Sequence, residues 1–109
     1  MRVTEIVAVP TAVDAGDMLA NARRTTDFLK SLAHEGRLVI LCRLSEGPAT
    51  VTELEQTLGA RQSSVSQQLA RLRSEGLVDY ERDGRILRYS IADDRARKVV
   101  ALLYDLFCD

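Results

Sequence analysis

The chain has 109 residues, of which 46% are hydrophobic and 28% charged, a mix that belongs to one folded domain and excludes a disordered or fibrous chain. Fifteen Lys and Arg against sixteen Asp and Glu leave a formal net charge of −1, which taken alone speaks against a nucleic-acid binder, because phosphate neutralisation ordinarily leaves a basic footprint. One histidine and two cysteines exclude a zinc finger or a cysteine-rich metal cage assembled within one chain.

Residues 1–14 show no periodicity and are expected to form a flexible arm ahead of a single domain over residues 15–109. The apolar run Ile6–Val9 stops at Pro10 and is too short for a signal-peptide core. Elsewhere the longest apolar run, Val99–Tyr104, falls far short of the roughly 20 residues that span a bilayer. The expected location is the cytoplasm, with both cysteines reduced.

From Asp17 the pattern turns helical, with Met18, Ala22, Phe28, Leu29 and Leu32 at three-to-four spacing. A second helix is predicted over about Glu35–Ser45, with Leu38, Leu41 and Cys42 on one face and Gly47-Pro48 as its stop. Thr50 or Thr52 caps a third, short helix that ends at Gly59. A fourth runs from about Gln62 to Ser74 and stops at Glu75-Gly76. Two β-like runs follow, Leu77–Arg82 and Ile86–Ile91, with the hairpin signal Asp83-Gly84 between them. Tyr80 and Tyr89 alternate with polar residues there and are expected to pack the hairpin on the core. Asp93-Asp94 then caps a last helix, about Asp94–Phe107, with an apolar stripe of Val99, Val100, Leu103, Leu106 and Phe107.

The expected fold is mainly α with a two-stranded hairpin, in the order α-α-α-α-β-β-α. Two short helices joined across Leu58-Gly59-Ala60 and followed by a hairpin match a winged helix-turn-helix. On the fourth helix Val65, Leu69 and Leu72 fall together and face the core, while Ser63, Gln67 and Arg71 fall opposite, with Ser64 beside them. Short polar and amide side chains on an exposed helix face suit the reading of base edges in the major groove, and Arg71 suits phosphate. The charge is unevenly spread: residues 61–88 hold six arginines against four acids, and Arg61–Arg73 holds three arginines and no acid. The net charge of −1 therefore conceals a basic stretch on the element that would meet DNA. The plain alternatives are a solvated amphipathic helix and a winged-helix protein–protein module. No nucleophile, base and orienting group can be assembled around one histidine, so an enzyme is not expected.

The run LEQTLGARQSSVSQQLARLRSEGLVDYERDGRILRYSI, with the lead-in helix LAHEGRLVILCRLSEG, resembles the ArsR/SmtB family of dimeric winged-helix repressors over about residues 17–109. The resemblance implies a homodimer formed by the first and last helices, operator DNA as partner, and release of DNA on binding or modification by an inducer. DNA contacts are expected from Gln62, Ser63, Ser64, Gln67, Gln68 and Arg71 of the fourth helix and from Arg85 of the wing. The family's arsenic or lead site places Cys-Val-Cys where this chain has Thr50-Val51-Thr52, and hydroxyls do not replace thiolates for a soft metal. Its zinc site finds Asp93 and Asp109 here, but Arg95 and Leu106 stand at the histidine positions. No metal and no cofactor is expected.

The two thiols Cys42 and Cys108 resemble the persulfide-sensing, SqrR/BigR-like branch of the family. That likeness implies that reactive sulfur species join them through a polysulfide bridge and lift repression. From the residues alone both cysteines read as core or interface positions, and burial raises the pKa of a thiol. A peroxide, electrophile or soft-metal inducer of the same dimer is the alternative. The lone His34 reads either as a metal or haem ligand or as a helix-junction residue.

Overall fold

The computed structural model describes residues 15–59 and 62–108. The arm expected over residues 1–14 lies outside the described residues, as do Ala60, Arg61 and Asp109. The chain divides into a first unit ending at Lys30 and a second over Ser31–Asp109. Helix α1, Ala15–Leu32, makes up the described part of the first unit and ends in the second. Of its predicted apolar stripe, Met18 and Leu29 are exposed, Ala22 and Phe28 are half-buried, and Leu32, in the second unit, is the one buried member; Leu19 beside it is exposed as well.

The second unit begins with α2, Glu35–Leu44. Ile40, Leu41 and Leu44 form its buried face, and the helix packs against the three helices that follow and against the second strand of the hairpin. Strand β1 is only Ala49–Thr50, and Thr50 doubles as the N-cap of α3, Val51–Leu58. The Thr50 hydroxyl accepts the Glu53 N–H at 3.2 Å, while the Glu53 carboxylate accepts the Thr50 N–H at 2.8 Å. This reciprocal pair is a capping box, satisfying two backbone donors that the first turn leaves without partners. Gly59 closes the helix at φ 64°, a left-handed conformation that a side chain would strain, and donates its N–H to Glu55 O.

Helix α4 spans Gln62–Ser74, as the sequence pattern predicts. Val65, Leu69 and Leu72 are wholly buried at i, i+4, i+7 spacing. Strands β2, Val78–Asp83, and β3, Ile86–Ile91, pair antiparallel, with Val78 opposite Ile91 and Tyr80 opposite Tyr89. The hairpin turn is shifted by one residue from the sequence reading. Asp83 pairs with Ile86, so the two loop residues are Gly84 and Arg85. The positive φ falls on Gly84, the first loop position, where a type II′ turn places glycine.

The hairpin gains a neighbour that the sequence pattern did not announce. Ala49 pairs with Tyr89 and Thr50 with Arg88, giving a three-stranded antiparallel sheet in the order β1-β3-β2. Helix α5, Asp94–Phe107, is capped by Asp93, whose carboxylate accepts the N–H groups of Arg95 and Ala96. Ala96 and Val100 bury one side of it, while Leu102, Tyr104 and Phe107 remain exposed. Among the described residues, five helices and a small wing make a winged helix-turn-helix, with α3 and α4 as the paired helices.

Candidate functional site

Burial of Val65, Leu69 and Leu72 decides which face α4 offers to solvent. Ser64, Gln67 and Arg71 are exposed on it. Gln62 and Ser63 lie in the first helical turn, and their side chains fall outside the described residues. Gln68 is half-buried and turned toward α2. The acid-free stretch ending at Arg73 is not acid-free in space. Arg71 Nε donates to Glu75 Oε2 at 3.1 Å, and Arg73 Nε donates to Asp79 of β2 at 3.0 Å. Spacing of i, i+4 announced the first pair, whereas the second needed the fold. Glu75 is pushed up by partial burial, but hydrogen bonds from Ser31 and Arg71 outweigh this and leave its carboxyl below the ordinary value. An exposed i, i+4 pair is worth at most about 0.5 kcal/mol, so Arg71 can exchange Glu75 for a phosphate at small cost.

The wing carries its own cations. Arg85 stands in the two-residue loop and is exposed, as is Arg82 one position before the turn; neither makes an ion pair among the described residues. At the base of the wing the Arg73 guanidinium lies 4.4 Å from the centroid of the Tyr80 ring, and Tyr80 meets Tyr89 edge-on at 5.3 Å. The tyrosines, expected to pack the hairpin on the core, instead stack half-buried on each other and on the end of α4. They brace the wing against the helix.

His34 is the N-cap of α2. Its Nδ1 accepts the N–H groups of Gly36 at 3.1 Å and Arg37 at 3.4 Å, and its Nε2 lies 3.5 Å from Nε2 of Gln68. Of the two sequence readings of His34, the helix junction is the one the geometry supports. The positions compared with metal sites are engaged as well: Thr50 caps α3, and Asp93 both caps α5 and binds the Arg95 guanidinium at 2.8 Å. Among the described residues no group of three or more His, Cys, Asp or Glu side chains is gathered to hold a metal ion, and no helix is long and apolar enough to cross a membrane.

Cys42 and Cys108 are free thiols. Cys42 is half-buried on α2; Cys108 is exposed and ends α5, donating its N–H to Tyr104 O at 2.8 Å. Since α2 packs against α5, the two residues come within electrostatic reach. Burial pushes the Cys42 thiol up, and its electrostatic interactions with Cys108 and Glu46 push it further. Arg43, the neighbouring cation, is turned away and donates to Gly47 O at 3.2 Å. The fold thus brings together two separate groups: polar and basic side chains on α4 and the wing, and a thiol pair between α2 and α5.

Comparison with known proteins gives the chain its relatives. The family described as bacterial regulatory protein, arsR family, matches residues 34–80, from the α2 cap into the wing. The biofilm growth-associated repressor of Agrobacterium fabrum is 41% identical over 92 residues, 82% of this chain and 79% of that protein. The crystal structure of the transcriptional repressor BigR from Xylella fastidiosa superposes with a TM-score of 0.78 at 38% identity, covering 87% of this chain and 94% of that one. Reduced HlyU from Vibrio cholerae gives a TM-score of 0.81 at 34% identity over 85% of this chain and 98% of its own. These relatives are regulators and not enzymes. Matched along most of its length in sequence and in fold, the chain belongs to the arsR family of bacterial regulatory proteins.

Proposed function

We propose that the chain is a homodimeric, DNA-binding transcriptional repressor of the cytoplasm whose inducer is a reactive sulfur species acting on Cys42 and Cys108. DNA binding is supported by the exposed face of α4, where Ser64, Gln67 and Arg71 face solvent, and by Arg85 at the wing tip. Gln62, Ser63 and Gln68 complete the proposed contact set. Assembly into a dimer is supported by apolar side chains left exposed on α1 and on α5, a burden a soluble monomer seldom carries. The A. fabrum and X. fastidiosa relatives are both named as repressors.

The observation that carries the sensing is the placement of two free thiols on helices that pack against each other. In the proposed chemistry each thiol accepts one sulfane sulfur from a persulfide R–S–SH and releases R–SH. Condensation of the two protein persulfides then releases hydrogen sulfide and joins the residues through a polysulfide bridge, in its shortest form a trisulfide. No further oxidant is needed. A direct disulfide requires Cα atoms about 4.4–6.8 Å apart; inserted sulfur relaxes that limit, which separates persulfide from peroxide as inducer. Tying α2 to α5 joins the DNA-reading half to the proposed dimer helix. Since half-sites sit about one DNA turn apart, a changed spacing of the two α4 helices releases the operator.

The test is binding to a duplex from the chain's own promoter, with and without a persulfide donor, followed by mass spectrometry. Salt-dependent binding that the donor abolishes is expected, with Cys42→Ser and Cys108→Ser proteins that still bind but no longer respond. A Cys108→Ser protein that remains inducible overturns the two-thiol mechanism. A plain disulfide or a bound metal in the mass spectrum would favour the peroxide or soft-metal reading instead.

A further inference from the structure

The contact between His34 and Gln68 joins the α2 cap to the helix proposed to read DNA, and its polarity follows from hydrogen-bond accounting. Nδ1 of His34 accepts two backbone N–H groups, from Gly36 and Arg37, so it carries no proton. A neutral imidazole with bare Nδ1 carries its proton on Nε2 and donates from there. Across 3.5 Å stands the Gln68 amide. Two N–H donors do not bond to each other, so the amide turns its oxygen to the ring and its NH2 group away. An unconstrained glutamine offers one acceptor and two donors and pairs with adenine through both. Here one lone pair of the oxygen is taken and the oxygen is turned to the ring.

We propose that His34 is a specificity-determining positioning residue. Held as the Nε2–H tautomer by the α2 cap, it fixes the Gln68 amide so that α4 presents a donor only at this position. The partner is then a base acceptor: the O6/N7 edge of guanine or O4 of thymine. The paired donor and acceptor of the adenine edge are disfavoured, since the oxygen points at the ring. This inference rests on the DNA-binding reading of α4 and goes beyond it by assigning the chemistry of one contact and its cause. It involves a residue 34 positions away in sequence that itself touches no DNA.

Two measurements test it, one without DNA. Nitrogen NMR of the His34 ring is expected to find the proton on Nε2; a proton on Nδ1 overturns the proposal. Selection from a randomised operator library then compares the native chain with His34→Asn and Gln68→Ala. Asparagine keeps the cap, since its side-chain oxygen serves the same N–H groups, but it offers no Nε2–H to Gln68. For a base contact, Gln68→Ala flattens the preference at one position, and His34→Asn opens that same position to adenine, which the native chain rejects about tenfold. If both variants instead weaken all sequences alike, as a phosphate contact would have them do, the proposal is overturned. His34→Asn protein with native affinity and native base preference, where Gln68→Ala has lost either, overturns the proposal. If the native chain binds no duplex, the repressor reading falls and this contact falls with it, while the ring tautomer, measured without DNA, records that failure separately.

Discussion

Cys42 is held protonated by burial, by Cys108 across the helix pair and by Glu46 four residues along. The thiolate is the attacking form, so a half-buried thiol of raised pKa is a slow first nucleophile, whereas the Cys108 side chain is exposed. Early in a persulfide time course, added sulfur is therefore expected on Cys108 before Cys42, read by peptide mass spectrometry. The electrostatic share of the shift is removable. Cys108→Ser or Glu46→Gln is expected to lower the midpoint of the Cys42 alkylation rate against pH, and neither restores a free-cysteine value because burial is the largest cause. The sign also fixes a stability limb. A thiol whose pKa is higher folded than unfolded contributes stability that is full below the unfolded value and is lost as pH rises through the folded one.

Among the elements, α3 hangs on the capping box of Thr50 and Glu53. Thr50→Ala removes the hydroxyl acceptor and is expected to cost about 1 kcal/mol, seen as a melting temperature lower by roughly 5 °C. Hydrogen bonds from the Thr50 backbone and side chain hold the Glu53 carboxyl below its ordinary value. That half of the box contributes above the usual carboxylate range and is lost as pH falls through the lowered value. Glutamine fills the same role in a capping box, so Glu53→Gln is expected to keep the neutral-pH melting temperature while flattening its fall in acid. A melting curve with an unchanged acid limb in that variant would assign the limb to other carboxylates.

Signals such as this cap were legible in the sequence because they are local. Thr50, Gly59, Asp93 and the spacing of Val65, Leu69 and Leu72 each act within a turn or two of helix. Strand β1 was not legible: two residues have no pattern of their own, and Ala49–Thr50 is a strand only because β3 pairs with it. The Asp83-Gly84 signal found the hairpin but missed its register, since the pairing of Asp83 with Ile86 decides which residues are left to turn. In the candidate site the exposed positions Ser64, Gln67 and Arg71 followed from helix periodicity. The placement of Gln68 against His34, and of Arg73 over Tyr80, came from packing between elements distant in sequence. The basic stretch was overstated for the same reason, because Asp79, which pairs with Arg73, arrives on a different strand.

On the scale of the whole molecule, a net charge of −1 and a DNA partner are compatible because charge is read locally. Arg71, Arg82 and Arg85 stand exposed on α4 and the wing, while Asp93 and Asp94 are spent on the cap of α5 and on the cations Arg95, Arg97 and Lys98. The exposed apolar residues of α5 lead elsewhere. Phe107, 81% exposed, immediately precedes Cys108. If dimerisation covers that ring, the adjoining thiol stands at the rim of the seam, and its chemistry obeys mass action. Modification of Cys108 is then expected to slow as protein concentration rises through the dimer dissociation constant. Phe107→Asp should leave a monomer by analytical ultracentrifugation, with a modification rate that no longer depends on concentration. The dose of inducer needed to clear an operator would thus scale with the number of repressor copies in the cell, so that a chain regulating its own synthesis would also set its own threshold.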